Sequence, residues 1–393
     1  MAMEAGKSIV CFSANDWDDT PSSKFHIMRY LGKSHKILYV ETMGIHTPQF
    51  CSKDAKRALS KLKKSFAGLR KVEDNIYVWS PLAIPFHGFA LANWFNSHFV
   101  TSMVKRFMGK LGMIDPIIWS YLPNALNITQ KLPFSKRIYH CIDDYGEFTH
   151  TPKMAFERME RKMLQWADIT VVSAKKLYES RRPYARNITY IPHGVNVTEF
   201  QGYLEEKVNL KDLDNIKKPI AGLVGRLADW VDLPLIMRCA RELPGWNFVL
   251  VGPSNVDLNP YLGIPTVHFL GKKDHKEIPH YIQRFDVCLM PYVNIPRLAT
   301  ANPLKMYEYL ALGKPVVTIP MDEVADFAHV LTIVEPANFP NAIERAYEED
   351  TDEKRKMRIE SVSGRSWGDI AERILQLVDG NNSGRVREIG GPE

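Results

Sequence analysis

The stretch Thr300-Ala301-Asn302-Pro303-Leu304-Lys305-Met306-Tyr307-Glu308 holds the densest set of groups able to do chemistry. Asn302 is a favourable N-cap and Pro303 fits a first helical position. Gly313 and Pro315 supply the stop, so a helix is bounded on both sides. Lys305 then falls in the first turn, beside the positive end of the helix dipole, where a cation is disfavoured by about 0.3–1 kcal/mol. A bound anion reverses that sign. Glu308 lies three residues on, on the same face. A lysine for phosphate and a carboxylate for sugar hydroxyls is one way for a helix face to hold a nucleoside diphosphate; a surface ion pair is the other reading. Leu223-Val224-Gly225-Arg226 adds a glycine straight after a strand, where backbone can approach a ligand closely. Arg226 stands at that strand's carboxyl end, where ligands bind in open α/β sheets, and arginine meets phosphate bidentately.

Other candidates are acids and histidines. Asp143 and Asp144 end a strand that reads as central. A carboxylate there is placed to take a proton from a hydroxyl; the alternative is that one or both cap the next turn. His193 sits in a glycine-containing turn near a domain boundary, as a cleft residue or a structural one. Asp16 and His26 follow the first strand and are candidate acceptor or cleft residues. G-x-G-x-x-G is absent from that first turn, and no Walker A or H-E-x-x-H motif occurs, so the usual signatures of dinucleotide, P-loop and zinc-protease chemistry are missing.

These residues need a scaffold that presents strand ends. Apolar strands are expected at 8–13, 36–40, 75–79, 116–120, 136–142, 168–173, 187–191, 219–224, 246–251, 266–270, 286–290, 315–319 and 331–334. Many are continuous Val, Ile and Leu runs, as in parallel sheets covered on both faces. Alternation with helical stretches predicts α/β architecture. The polar stretch 201–218 marks a boundary. The expected division is an acceptor domain at 1–200, completed by a C-terminal crossing helix within 366–393, and a donor domain at 201–365. The tail beyond about Asp379 is expected to be disordered.

At 393 residues the chain has room for two or three domains and needs no disulfide to fold. Its five cysteines are scattered without a C-x-x-C pair, which argues against disulfides or zinc and fits a reducing cytosol. Neither a signal peptide nor a spanning apolar run is visible. Charge is asymmetric: residues 1–200 carry 28 Lys and Arg against 17 Asp and Glu (+11), and residues 201–393 carry 23 against 28 (−5). The first half is thus expected to face something anionic. Segment 53–71 holds Lys53, Lys56, Arg57, Lys61, Lys63, Lys64, Arg70 and Lys71 against Asp54, with Leu59, Leu62, Phe66 and Leu69 at helical spacing. It reads as a basic amphipathic helix for an anionic membrane surface, or as a solvated face. The aromatics that follow, from Trp79 through Phe86, Phe89, Trp94 and Phe95 to Phe99, add interfacial burial, line a lipid channel or fill the core.

In combination, Ile191-Pro192-His193-Gly194-Val195-Asn196 with Phe200, Gly225-Arg226-Leu227, Phe269-Leu270-Gly271 and Glu308 to Val317 resemble the landmarks of GT-B nucleotide-sugar glycosyltransferases, most closely family 4. The resemblance covers roughly residues 135–375. It implies two Rossmann-like domains with parallel sheets facing a central cleft, a donor site on the second, an acceptor site on the first, and no metal or other cofactor. It puts Glu308 on the donor ribose and Arg226 on the diphosphate. Thr300 stands where the family usually carries an acid, and Val231-Asp232 where a lysine is usual. Tyr139 to Asp144, Pro291-Tyr292 and Leu304-Lys305 with Glu308 resemble, more distantly, the inverting glucuronosyltransferase of xanthan assembly. That likeness implies Asp143 as base, with Tyr292 and Lys305 on the nucleotide and Leu304 beside them.

The expectation is a metal-independent hexosyltransferase of polysaccharide or glycoconjugate biosynthesis. It would take a sugar, UDP-linked for preference, to a glycan or lipid-linked acceptor. It would be peripheral on the cytoplasmic membrane face and bind no nucleic acid. The rivals are a retaining family 4 enzyme, a nucleotide-sugar epimerase and a catalytically silent nucleotide-binding module.

Overall fold

A computed structural model describes residues 6–19, 21–42, 64–65, 67–81, 90–147 and 153–380, with side chains of 90–95 excepted. The described chain falls into two compact units. One runs to Pro192 and resumes at Ala371; the other is His193–Ile370.

The first unit is an eight-stranded sheet in the order β3-β4-β2-β1-β5-β6-β7-β8. Its strands are β1 (Ser8–Phe12), β2 (Lys36–Val40), β3 (Arg70–Glu73), β4 (Ile76–Trp79), β5 (Ile117–Ser120), β6 (Lys136–Cys141), β7 (Ile169–Val172) and β8 (Ile188–Tyr190). All neighbours are parallel except β3 and β4. The second unit is a six-stranded parallel sheet in the order β11-β10-β9-β12-β13-β14. It comprises β9 (Ile220–Val224), β10 (Asn247–Val251), β11 (Val267–Gly271), β12 (Val287–Met290), β13 (Val316–Thr318) and β14 (Thr332–Ile333). The expected strands all form, with bounds within a residue of those expected. The central ones are buried along their length, β9 and β12 completely, which is why their sequences run apolar without alternation.

The order in each sheet creates a switch point. β1 lies between β2 and β5, and β9 lies between β10 and β12. Strand order reverses there, so the flanking loops part at the carboxyl ends and leave a crevice.

The structure corrects two expectations and decides a third between its alternatives. Arg70 and Lys71 are not the end of a helix; they open β3, an antiparallel edge strand. Charged residues on an edge strand discourage further pairing, so the basic pair is at home there. Residues 53–63 and Phe66 of the expected basic helix lie outside the described residues, as do Phe86, Phe89, the side chains of Trp94 and Phe95, and the tail from 381. Trp79 is 1% exposed and packs edge-on against Phe107 at 5.4 Å, while Phe99 is half-buried against the same core cluster. These two aromatics therefore fill the first unit's core. The helix after Asn302 begins a residue late, at Leu304, with Pro303 in the capping position. Asn302 instead donates from Nδ2 to Glu323 Oε2 at 2.7 Å, both residues being buried.

Candidate active site

In the second unit, two devices position the candidate donor groups. The first is the glycine turn after β9. Gly225 has φ +153°, and a Cβ placed on it meets nothing within 4 Å, so the space above the strand end is open. Gly252 after β10 has φ +146°, and a Cβ there would lie 1.8 Å from the Gly225 carbonyl oxygen. Only a residue without a side chain lets these loops touch. Arg226 leaves this turn exposed, its Nη1 donating to Asn255 Oδ1 at 3.1 Å.

The second device is the helix Leu304–Ala311. Gly313, at φ +68°, closes it as expected: Gly313 N–H donates to Leu310 O at 2.9 Å and Lys314 N–H to Tyr309 O at 3.0 Å. This paired closure satisfies the last carbonyls of the helix. Tyr309, fully buried, accepts from the Val224 N–H at 2.8 Å. The helix that carries Lys305 and Glu308 is thereby tied to the strand end that carries Gly225 and Arg226.

Lys305 donates to Glu308 Oε2 at 2.6 Å, with both side chains largely shielded. The carboxylate offsets the misfit of a cation in a first turn. Half-buried Leu304 opens this helix. Tyr292 follows β12, across the switch point from Arg226, and its backbone bridges Val231. Burial, then the Glu308 carboxylate, pushes its phenol well above the usual tyrosine range. Val231-Asp232 also has a structural role, since Asp232 caps the next helix by accepting from Leu235 N–H at 2.8 Å. Thr300 donates to the Arg297 carbonyl at 3.0 Å.

Sequence reasoning missed His275. Burial pushes its imidazole down, Glu308 acts against that, and Lys305 adds to it, so the ring lies within electrostatic reach of both. Nothing in Lys273-Asp274-His275-Lys276 signals this, because the influence comes from groups some thirty residues further along the chain. His193 is buried at 7% exposure, its ring 6.1 Å from Trp367. The adjoining Gly194 serves close packing: a Cβ there would lie 1.9 Å from the Arg365 carbonyl oxygen.

In the first unit, Asp143 follows β6 and is half-buried. Its sequence neighbour Asp144 faces other groups: Oδ2 pairs with Arg181 Nη2 at 2.9 Å. Arg181 also holds Glu160 at 3.1 Å, and Glu160 accepts from Tyr139 Oη at 2.8 Å. This is a buried network in which each charge has a partner, the condition under which burial of charge is tolerated. Asp143 lies instead near Lys24. That lysine is 4% exposed in the first turn of the helix Ser23–Leu31, its Nζ 5.9 Å from the Tyr121 ring centroid. Burial pushes the Lys24 ammonium down, and Asp143 is the strongest opposing influence. Asp16 is shielded, with Oδ2 3.6 Å from Lys64 Nζ. His26 sits half-buried on the same helix as Lys24, its ring 5.5 Å from Phe25. Nearby, Glu41 is fully buried at the end of β2 and accepts from Trp17 N–H at 2.9 Å, Arg70 Nη2 at 3.3 Å and Ser80 Oγ. Among the described residues, no group of three or more His, Cys, Asp or Glu is arranged to hold a metal ion.

Two parallel-sheet α/β units, with candidate groups at the switch point of each, define the GT-B architecture, and the comparisons with known proteins agree. Residues 218–349 match the family described as Glycosyl transferases group 1. A Bacillus subtilis (strain 168) protein named as a teichuronic acid biosynthesis glycosyltransferase, TuaH, is 25% identical over 287 residues, 66% of this chain and 71% of that one. Two solved structures share the fold. One, from E. coli, is described as trehalose-6-phosphate bound with UDP-2-fluoro glucose (TM-score 0.66, 14% identity, 94% of this chain and 98% of that chain). The other is a trehalose-6-phosphate synthase studied for glycosyl transfer with retention (TM-score 0.65, 15% identity, 95% and 99%). The chain is a glycosyltransferase of GT-B fold.

Proposed function

We propose that this enzyme transfers a sugar from a nucleoside diphosphate donor, UDP-linked for preference, to a hydroxyl of a glycan or lipid-linked acceptor in polysaccharide or glycoconjugate biosynthesis. The observation that carries the donor reading is the shielded Lys305–Glu308 pair at a helix start, tied through Tyr309 to the strand end bearing Gly225 and Arg226. On this reading Arg226 and Lys305 grip the diphosphate and Glu308 the ribose. Tyr292 supports the nucleotide beside them. As the sugar–phosphate bond breaks, charge grows on the departing diphosphate, and fixed cations with the amides of the helix start stabilise it. No step needs a metal. Asp143 accepts the acceptor's proton, and the freed oxygen attacks the anomeric carbon in line, inverting its configuration.

A second reading, retention, has one observation in its favour. The buried Lys24 has Asp143 as its strongest opposing charge, which gives that carboxylate a structural reason for its place. In that case Asp143 is structural, and the product keeps the donor's anomeric configuration. A solved relative by fold was studied for transfer with retention, which adds interest to that outcome.

The test is a thermal-shift screen with UDP-, GDP- and ADP-sugars, followed by NMR of the product. UDP-sugars are expected to raise the melting temperature most. No shift with any of the three would sink the donor assignment.

Docking on an anionic membrane face through the first unit is also part of this proposal, supported by the charge of +11 on residues 1–200. Among the described residues no helix is long and apolar enough to cross a membrane. Each basic residue near an anionic leaflet contributes about 1 kcal/mol, and salt screens it. Co-sedimentation with anionic vesicles is expected to fall with salt and with Lys61, Lys63 and Lys64 all changed to Glu. Equally poor binding to neutral and anionic vesicles at low salt would instead indicate a soluble acceptor.

A further inference from the structure

The order of the first sheet sorts its helices by face. From β1 to β2 the chain moves toward one edge; from β4 through β5, β6 and β7 to β8 it moves toward the other. Parallel crossovers are right-handed, so opposite directions of travel put the connecting helices on opposite faces. The helix Ser23–Leu31 therefore lies on one face. The helices Ala90–Leu111, Leu126–Thr129, Lys153–Trp166 and Lys175–Arg181 form a layer on the other, and contacts link the first three in turn. The last two are joined by Arg181 to Glu160 at 3.1 Å and by the Arg161 guanidinium, 4.5 Å from the Tyr184 ring centroid.

This layer is one-sided in charge. Ala90–Leu111 contains no acid, and its last two turns expose Lys105, Arg106 and Lys110. Lys153–Trp166 exposes Arg158, Arg161 and Lys162, and the segment after Lys175–Arg181 exposes Arg182 and Arg186. Of the acids on these helices, Glu160 is buried against Arg181, Glu157 is half-buried and Glu179 is exposed. Such a surface holds a positive potential across its width.

The same layer carries the two most exposed large apolar side chains among the described residues. Ile114, 85% exposed, follows the end of Ala90–Leu111, and Met154, 82% exposed, stands in the first turn of Lys153–Trp166. These features select among anionic partners. The bases stand on separate helices instead of converging on one point, which suits an extended surface better than a single phosphate. A soluble polyanion would use the bases and leave Ile114 and Met154 in water. A lipid leaflet uses both, since headgroups meet the bases while apolar tips enter the interface. We propose that this helical face, with Ile114 and Met154 as its apolar tips, is the surface that docks on an anionic lipid leaflet. It rests on the membrane-docking reading above and gives that reading a surface other than residues 53–71.

The test is co-sedimentation of the full chain with phosphatidylglycerol–phosphatidylcholine vesicles at low salt. Arg158→Glu with Lys162→Glu and Arg186→Glu is expected to raise the lipid needed for half-binding about 100-fold, from about fivefold per basic residue. Arg29→Glu with Lys33→Glu and Lys71→Glu changes net charge equally at exposed positions outside this layer and is expected to cost far less. Ile114→Ser with Met154→Ser is expected to cost about tenfold, a loss that persists in salt because apolar burial is not screened. Thermal unfolding with and without UDP checks that each variant folds. Equal losses in the two charge-reversal sets would overturn this face and leave the docking reading standing. So would a loss confined to the variant with Lys61, Lys63 and Lys64 changed to Glu. No binding of wild type to anionic vesicles would overturn both.

Discussion

Asp143→Asn is expected to lower sugar transfer by about 10²–10⁴-fold with donor affinity kept, the usual worth of a positioned acid or base. The amide keeps the size of the side chain but cannot accept the acceptor's proton. Adjacency in the chain makes repulsion by Asp144 the influence expected to tune Asp143, and the structure replaces it with another. Asp144 is neutralised by Arg181 at 2.9 Å, and the nearby charge is the buried Lys24 ammonium. Kinetics of Asp143→Asn together with the anomeric configuration of the wild-type product decide the matter. An active variant, or a product with the donor's configuration, assigns the enzyme to the retaining class.

Lys305→Ala is expected to weaken UDP binding about 10–100-fold while changing uridine binding little, because a hydrogen bond to a charged group contributes about 1.5–3 kcal/mol. The effect should exceed that of an ordinary surface lysine for a structural reason. Lys305 Nζ is already aimed by Glu308 at 2.6 Å, and the helix that bears it is clamped to β9 by the buried Tyr309. Glu308→Ala should reduce both UDP and uridine affinity, since the ribose contact is shared. It should cost UDP less than the loss of a ribose contact alone, because Lys305 is released to the diphosphate. Calorimetry with UDP and uridine reads both variants. Equal UDP affinity in wild type and Lys305→Ala would return the pair to a plain ion pair.

Much of this site is legible in the amino-acid sequence, and its legible part has a common origin in short-range chemistry. Gly313 and Pro315 announce the helix end, and the paired closure at Leu310 and Tyr309 follows from a residue that tolerates φ +68°. Ile220 to Val224 reads as a buried strand because every residue in it is apolar. Gly225 and Arg226 can then be placed at a strand end by counting. By contrast, β3 escapes such a reading because Arg70-Lys71-Val72-Glu73 is a half-exposed edge strand with no apolar run to announce it.

By itself, then, the sequence determined the α/β class, the positions of the apolar strands, the bounded helix and the oddity of a lysine in its first turn, because each depends on neighbours a few residues away. Only the tertiary structure decided which charges meet. Asp144 found Arg181, Glu41 found Arg70 and Ser80, Asp143 came near Lys24, and His275 came within reach of Glu308. Those partners lie about 30 to 120 residues apart. A buried charge is stable only beside a partner, and that choice is made within each unit by the order of its sheet, which brings distant segments of chain together.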